Sequence, residues 1–320
     1  IKPNQPPKHW TKIFFGYPYW NLSATKGGVK KIPGFVERKF DEDLGIEPNY
    51  EGDGHKTGFT PLTIINGVRI LLAINKSIKS RPKKNEVAVR KILKIINDLN
   101  TADLQLLDNT KLLRLISKTI EQDYLYTEGN YFFTIYDNSN ATTLFHDALE
   151  TYNKKIKEKL KHIHLIAGIQ DISHLNPTMD FWKLTREILK DEKELEKLLK
   201  LTPDSVCELH NQNETYPFKE QVLSYLEKYK YHSIRELDIL VPHWIEDPLP
   251  VFKNMFDMLQ SDSNPLEANQ KQVESYSKEK NKIKSKKLQR SLNQHRKLLW
   301  WREEMRDYST QFYFQLRRIT

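Results

Sequence analysis

The feature that most constrains the fold is a change of residue pattern at Pro61. Eight of the eleven glycines precede this proline, and only three follow it. Beyond it, apolar residues recur at steps of three and four, as in Val89, Ile92, Ile96 and Leu99. This spacing places the apolar side chains on one face of a helix, which must pack against another helix. The pattern predicts an all-α fold from Pro61 onward.

Several helix starts are marked by a capping side chain directly before a proline. The cap accepts a hydrogen bond from the first free N–H groups, and a proline at the first helical position loses no bond. The four pairs are Asn176-Pro177, Thr202-Pro203, Asp247-Pro248 and Asn264-Pro265. The run FFTIY at residues 132–136 could form a strand, but no alternating partner lies nearby. We expect two helical lobes, residues 61–205 and 206–320.

Residues 1–60 differ from the rest because they are irregular and rich in proline, glycine and aromatic residues. The aromatic side chains include Trp10, Tyr17, Tyr19 and Trp20. A loop-rich segment cannot bury so many rings by itself, so we expect it to pack on the helices.

Composition limits the class of protein. The 320 residues have 38% hydrophobic content, a mean hydropathy of −0.68 and a formal net charge of +9. The single cysteine, Cys207, excludes an internal disulfide framework and fits a reducing cytoplasm. The most apolar stretch, residues 62–74, is short and contains Asn66 and Arg69, so it does not predict a membrane span. The sequence begins without Met and ends inside a helical pattern, and we expect it to be part of a longer protein.

The C-terminal stretch combines a basic run with an aromatic stripe. Residues 278–302 are strongly basic, which is typical of a solvated helix face and also compatible with phosphate or nucleic-acid contact. One stripe at helical spacing indicates core packing rather than a platform for stacking bases. Its members are Trp301, Met305, Tyr308, Phe312, Leu316 and Ile319.

No complete catalytic or metal-binding motif is present. The run SATKGGVKK at residues 23–31 lacks the spacing of a phosphate-binding loop. His162 and His164 are two residues apart, so on a helix they point in different directions and do not hold one metal. Cys207 has no neighbouring sign of activation in the sequence.

The densest set of chemically active side chains is the charged segment, residues 229–248, with the sequence YKYHSIRELDILVPHWIEDP. An apolar run, Ile239 to Val241, follows Arg235, Glu236 and Asp238 directly. Burial of this run would draw some of the charges inward, where they need partners. Two interpretations stay open: a structural corner between helices, or a polar site that holds a substrate.

The charged segment resembles a run in the central region of phosphoenolpyruvate-synthase-like phosphotransferases, rifampin phosphotransferase among them. Residues 15–46 and 299–319 resemble the opening and closing segments of the same region. The matching residues of the charged segment are His232, Glu236, Asp238, Pro242, Trp244, Glu246, Asp247 and Pro248. The chain departs from the family where the latter often has Gly-His-Arg and Pro-Arg-Trp. Here Ser233 and His243 replace the two arginines.

The resemblance implies one module of a three-module enzyme. An ATP-grasp domain binds ATP and Mg²⁺, a swivelling domain carries a phosphohistidine, and a third module holds the acceptor. Thr25 to Gly28 reproduce the Thr-x-Gly-Gly loop of the swivelling domain, but no histidine follows before His55. The resemblance therefore implies the acceptor module, without a cofactor or catalytic residue of its own and inactive alone. We expect it to bind a small hydroxyl-bearing or enolate acceptor, with the other two domains as partners.

The sequence also nominates the residues of the acceptor site. The polar anchors are His232, Arg235, Glu236 and Asp238, and the aromatic wall is Trp244, Trp20, Tyr19 and Trp10. Alternative classes are a basic helical nucleic-acid-binding protein, for which residues 278–302 would serve, and an interaction scaffold. The sequence favours the acceptor module over both.

Overall fold

The computed structural model describes residues 11–14, 17–20, 26–27, 29–43 and 46–320. Within them the regular secondary structure is helical except for one short hairpin, and the predicted all-α class is confirmed. The helices are α1 (Glu37–Asp43), α2 (Pro61–Thr101), α3 (Asn109–Asp123), α4 (Gly129–Asn153), α5 (His162–Ile166), α6 (Asn176–Ile188), α7 (Glu192–Leu199), α8 (Pro203–Asn211), α9 (Lys219–Lys228), α10 (Leu249–Leu259), α11 (Pro265–Asn281) and α12 (Lys286–Ile319). None of these helices contains an apolar stretch long enough to cross a membrane.

The hairpin lies in the segment for which the sequence predicts irregular structure. Strands β1 (Thr11–Phe14) and β2 (Tyr17–Trp20) are antiparallel, with Thr11 opposite Trp20 and Phe14 opposite Tyr17. Aromatic and β-branched residues favour strands, and here this preference outweighs the disruptive effect of the surrounding prolines.

The chain forms two compact units, residues 1–77 and 78–320. In the first unit, Lys26 holds α1 through ion pairs with Glu37 at 3.1 Å and Asp41 at 2.7 Å. Tyr50 also donates a hydrogen bond to Asp41, at 2.7 Å. The division of the chain at residues 60 and 205 stays a prediction.

Three apolar clusters form the core of the second unit. One joins α6 to α10 around Phe181 and Phe252, and a second joins α4, α5, α11 and the start of α12 around Phe145. The third packs α2 on α12 through Ile92 and Met305. In the predicted C-terminal stripe, Tyr308 is partly buried and the other five side chains are buried. The interpretation of the stripe as core packing is confirmed.

The predicted helix caps are only partly right. Thr202 and Ser205 form a capping box at the start of α8, and Asn264 caps α11 by accepting from the N–H groups of Leu266 and Glu267. Asn176 is not a cap, because it is already the first residue of α6 and follows a 3₁₀ turn. At α10 the cap position is Pro248, one residue beyond the predicted Asp247. Residues 132–136 are helical and belong to α4.

Candidate functional site

His232 and Glu236 form the centre of the charged segment. The His232 ring is 4% exposed, and its Nδ1 lies 2.9 Å from Oε1 of Glu236. Its Nε2 is buried and has no hydrogen-bond partner among the described residues. The ring lies between those of Tyr231 and Trp244, with centroids at 4.5 and 5.0 Å. One nitrogen is therefore fixed by a carboxylate, while the other is unused.

Glu236 extends this pair to α12. Its Oε2 lies 3.2 Å from Nη2 of Arg306 and accepts a hydrogen bond from Thr310 at 3.5 Å. Burial would raise the pKa of Glu236, but the hydrogen bond from His232 and the charges of His232 and Arg306 lower it below its usual value. The carboxylate is thus ionised and links the charged segment to the C-terminal helix.

Two further carboxyl groups of α12 are buried beside this link. Asp307 accepts hydrogen bonds from Tyr231, at 3.3 Å, and from Gln311, at 2.8 Å. Glu304 accepts from both the N–H and the hydroxyl group of Ser173, at 2.7 and 2.8 Å. Burial raises the pKa of both carboxyl groups. We define the polar cluster as Tyr231, His232, Glu236, Glu304, Arg306, Asp307 and Thr310.

A π-helical turn brings another acid, Glu128, to the same stretch of α12, and a second acid, Asp123, is buried at the start of the turn. The turn spans Tyr124–Glu128 and joins α3 to α4. Glu128 accepts a hydrogen bond from Ser309, and Asp123 accepts one from Thr127. Burial is the main cause that raises the pKa of Asp123 to about 7, and burial also raises the pKa of Glu128. These acids are far from the charged segment in the chain, so the sequence does not indicate that they lie near it.

The backbone of the charged segment folds back on itself. The N–H of Trp244 donates to the carbonyl oxygen of His232 at 2.8 Å, beside an antiparallel bridge between Ser233 and His243. Leu237 has a φ of 62°, in the left-handed region that a branched side chain rarely adopts. This residue reverses the chain between Glu236, which faces α12, and Asp238.

The second half of the charged segment is attached to α12 by Arg317. Its Nε lies 2.6 Å from Oε2 of Glu246, and its Nη1 donates to the carbonyl oxygen of Ile239 at 2.7 Å. An open cavity of about 420 Å³ adjoins this attachment. Its lining is Asn100, Glu227, Lys230, Ile245, Glu246, Phe314, Arg317 and Arg318.

The expected burial of the apolar run is wrong. Leu240 is 82% exposed, and Ile239 and Val241 are only partly buried. The chain forms turns here instead of continuing as a helix, so the run does not draw the preceding charges inward. Arg235 is accordingly 74% exposed and lies 3.6 Å from Asp238, outside the polar cluster.

The aromatic part of the predicted site is divided between the two units. Trp244 is partly buried and packs against the cluster of α6 to α10. For Tyr19 and Trp20 the structure gives the backbone of β2, and Trp10 lies outside the described residues. Their role as an aromatic wall stays a prediction.

The other predicted features behave as ordinary structural residues. Lys26 and Lys30 of the glycine-containing loop both pair with Glu37, each at 3.1 Å. Cys207 lies in the core, and burial raises the pKa of its thiol.

These observations define the protein as a helical domain with a partly buried polar cluster between its C-terminal helix and a charged turn segment. The family model of the rifampicin phosphotransferase fourth domain matches residues 132–307. This match covers more than half of the chain, and the chain therefore belongs to that family. It includes the charged segment and α12 as far as Asp307, so the resemblance to a rifampin phosphotransferase-like central region is confirmed. A comparison with curated proteins found no match.

Proposed function

We propose that the chain is the acceptor-binding module of an ATP-dependent phosphotransferase. In this proposal the acceptor is a small molecule with a hydroxyl or enolate oxygen, and a phosphohistidine on a partner domain donates the phosphoryl group. An ATP-grasp domain, with ATP and Mg²⁺, would supply that phosphohistidine. The chain itself would neither bind nor hydrolyse ATP.

The observation that carries the proposal is the unpartnered Nε2 of His232. A buried polar atom without a hydrogen-bond partner costs about 1–3 kcal/mol, and such atoms are rare in folded proteins. An acceptor hydroxyl would supply the missing partner, while Glu236 fixes the other ring nitrogen, Nδ1, at 2.9 Å. The left-handed Leu237 between Glu236 and Asp238 supports the proposal, because strained residues concentrate at functional sites.

The half-buried Trp244 bounds this position, since its ring lies 5.0 Å from that of His232. Acceptor binding at Nε2 therefore requires the indole to shift or to stack on the ligand. The cavity beside Glu246 has a volume within the range of about 300–1,000 Å³ that is typical of small-molecule sites. Its lining includes Ile245, the residue after Trp244 in the chain, and we propose that the part of the acceptor that does not react lies there.

Calorimetric titration with rifampicin, the molecule named by the family, tests the proposal. We expect the chain to bind rifampicin, and we expect His232→Gln and Glu236→Gln to weaken binding about tenfold, which corresponds to one hydrogen bond of about 1.4 kcal/mol. The matched control is Arg235→Gln, since Arg235 is exposed and lies outside the polar cluster. Equal affinity in wild type and His232→Gln would exclude the histidine as an anchor.

Two further results decide the assignment as a module. Tight binding of ATP by the isolated chain would contradict it, because the proposal places the nucleotide site on a partner domain. Absence of rifampicin binding would exclude this acceptor. The assignment would then depend on whether adding ATP-grasp and phosphohistidine domains transfers phosphate from ATP to another hydroxyl compound.

A further inference from the structure

Two lysine-rich runs that are far apart in the sequence form one surface. The first is the loop at residues 154–161, between α4 and α5, and the second is the turn at residues 278–287, between α11 and α12. The backbone N–H of Lys161 donates to Glu279 at 2.6 Å, and the N–H of Lys284 donates to the Tyr152 hydroxyl at 3.1 Å. We refer to the two runs together as the lysine surface.

The lysine surface holds the entire charge excess of the protein. Its eleven lysines and two glutamates give a net charge of +9, which equals the formal net charge of the whole chain. The remaining basic and acidic residues are therefore equal in number. A general lysine-rich composition would spread the excess over the chain, whereas here 18 residues of two adjoining segments carry it.

Most of these cations are free to contact a partner. Ten of the eleven lysines are exposed. Among the described residues, the eleventh, Lys282, is the only one with an ion pair, and it contacts both acids of the surface, Glu158 and Glu279. Lys282 thus compensates part of the charge of the two acids, and the ten exposed lysines have no ion pair among the described residues.

We propose that the lysine surface binds the phosphate backbone of a nucleic-acid duplex. Lysines that neutralise backbone phosphates release condensed counterions, and this gives affinity without sequence preference. The two runs contain no arginine and no aromatic residue, so they lack the side chains that usually read bases or stack on single strands. Protein interfaces are generally depleted in lysine.

The apolar residues of the surface point away from a partner. Leu160 and Ile283 are each 4% exposed, and Ile156 packs against the core around Phe145. A surface that inserts into a membrane needs exposed apolar side chains next to its lysines. The two runs present none, which favours a duplex over a lipid surface. Ile163, 68% exposed and two residues beyond the first run, is the residue to test for the membrane alternative.

Fluorescence anisotropy with a labelled DNA duplex of about 20 base pairs, two helical turns, tests the inference. We expect binding whose affinity falls steeply with salt, with a slope in log–log form of about −0.9 for each phosphate neutralised. One variant removes four exposed lysines of the surface: Lys155→Gln, Lys157→Gln, Lys284→Gln and Lys287→Gln. It should weaken binding at least tenfold at about 100 mM salt and reduce the slope by up to about 3.6, which is 0.9 for each of four phosphate contacts.

The matched control changes the same number of charges at another place. Four exposed lysines at and near α7 are replaced by Gln: Lys190, Lys193, Lys197 and Lys200. Three of them pair with glutamates of their own segment, as Lys200 does with Glu196 at 2.8 Å. The control should bind the duplex like the wild type.

Three results would overturn the inference. The first is the absence of duplex binding at about 50 mM salt, where phosphate contacts are strong. The second is equal weakening of duplex binding by the two quadruple variants, which would show that binding depends on the net charge of the protein and not on the lysine surface. The third is binding to phosphatidylserine vesicles, lost in Ile163→Ser, without binding to the duplex. None of these results depends on the acceptor site at His232.

Discussion

The Nε of Arg81 lies 2.6 Å from Oδ2 of Asp137, and these side chains are only 6% and 2% exposed. The pair joins α2 to α4, and the guanidinium also stands 5.2 Å from the centroid of the Phe133 ring. At this degree of burial water solvates neither charge, so the loss of one partner would leave the other as a poorly compensated buried charge. The sequence gives no sign of this contact, since the residues are 56 positions apart.

We expect Arg81→Met to destabilise the fold by about 3–5 kcal/mol, because it leaves the Asp137 carboxylate in the interior without this cation. Urea unfolding followed by circular dichroism measures the change. The double variant Arg81→Met/Asp137→Leu should recover most of the loss, since apolar residues of similar volume often replace a buried ion pair without cost. Similar stabilities for the wild type and the single variant would show that the pair contributes little.

The helical fold is largely predictable from the sequence because helix periodicity reports burial directly. The stripe from Trp301 to Ile319 follows from this periodicity, and the caps at Thr202 and Asn264 follow from a capping side chain directly before a proline. The sequence did not predict the hairpin at residues 11–20, and its predicted caps at Asn176 and Asp247 were wrong. Short strands and exact helix ends depend on competing local hydrogen bonds, which propensity does not resolve.

The site was predictable only in part. The sequence nominated His232 and Glu236, which do pair, together with Arg235 and Asp238, which do not join them. Adjacent charges were assumed to share an environment, but a turn at Leu237 separates them. The partners on α12, including Arg306 and Asp307, depend on tertiary packing of distant segments, which a single sequence does not show.

The half-buried Trp244 should be important for stability. Its ring lies 6.3 Å from that of Tyr225 and contacts the cluster of α6 to α10. We expect Trp244→Ala to cost about 2–4 kcal/mol, somewhat less than a fully buried tryptophan. Thermal melting checks this value, and a change below about 1 kcal/mol would mean that the ring packs loosely.

Asp238, in the same charged segment, should contribute much less to stability than Trp244. Its Oδ1 accepts a hydrogen bond from the N–H of Leu240 at 3.0 Å, and Asn can make the same bond. The ion pair with the exposed Arg235, at 3.6 Å, adds little because water screens it. Asp238→Asn should therefore change the free energy of unfolding by less than about 0.5 kcal/mol. A large loss of stability would indicate a structural role that these contacts do not explain.

The buried Asp123 should make the fold less stable as pH rises. Its pKa is raised to about 7 from an ordinary value of 3.8, so the unfolded chain loses this proton first. Its contribution is therefore present below pH 3.8 and is lost as pH rises towards 7. We expect Asp123→Asn to be more stable than wild type by about 2–4 kcal/mol at pH 8 and nearly equal at pH 4. Urea titrations at both pH values test this, with the exposed Asp98→Asn as a control that should show no such difference.

His295, one of three histidines around Phe145, should give the opposite dependence on pH. His295 of α12 stacks on Phe145 with centroids 5.4 Å apart, and its Nδ1 lies 3.3 Å from the Thr142 hydroxyl. On the other side, the rings of His146 and His162 lie 4.0 Å apart, and Phe145 is 5.5 Å from His162. Burial lowers the pKa of His295 to about 4, helped by the charges of the other two histidines and of two arginines, Arg302 and Arg296.

We expect His295 to stabilise the fold fully above pH 6.5, its ordinary pKa, and to lose that contribution as pH falls towards 4. Between these values the unfolded chain binds the proton and the folded chain does not, so unfolding is favoured by up to about 3 kcal/mol. Free energies of unfolding measured from pH 7 to pH 4.5 should fall less steeply in His295→Gln, which can still bond to Thr142. His164→Gln, on α5 but outside this cluster, should keep the wild-type slope. Measuring both in the Asp123→Asn background removes the opposing carboxyl effect, and an unchanged slope in His295→Gln would assign the acid sensitivity to other groups.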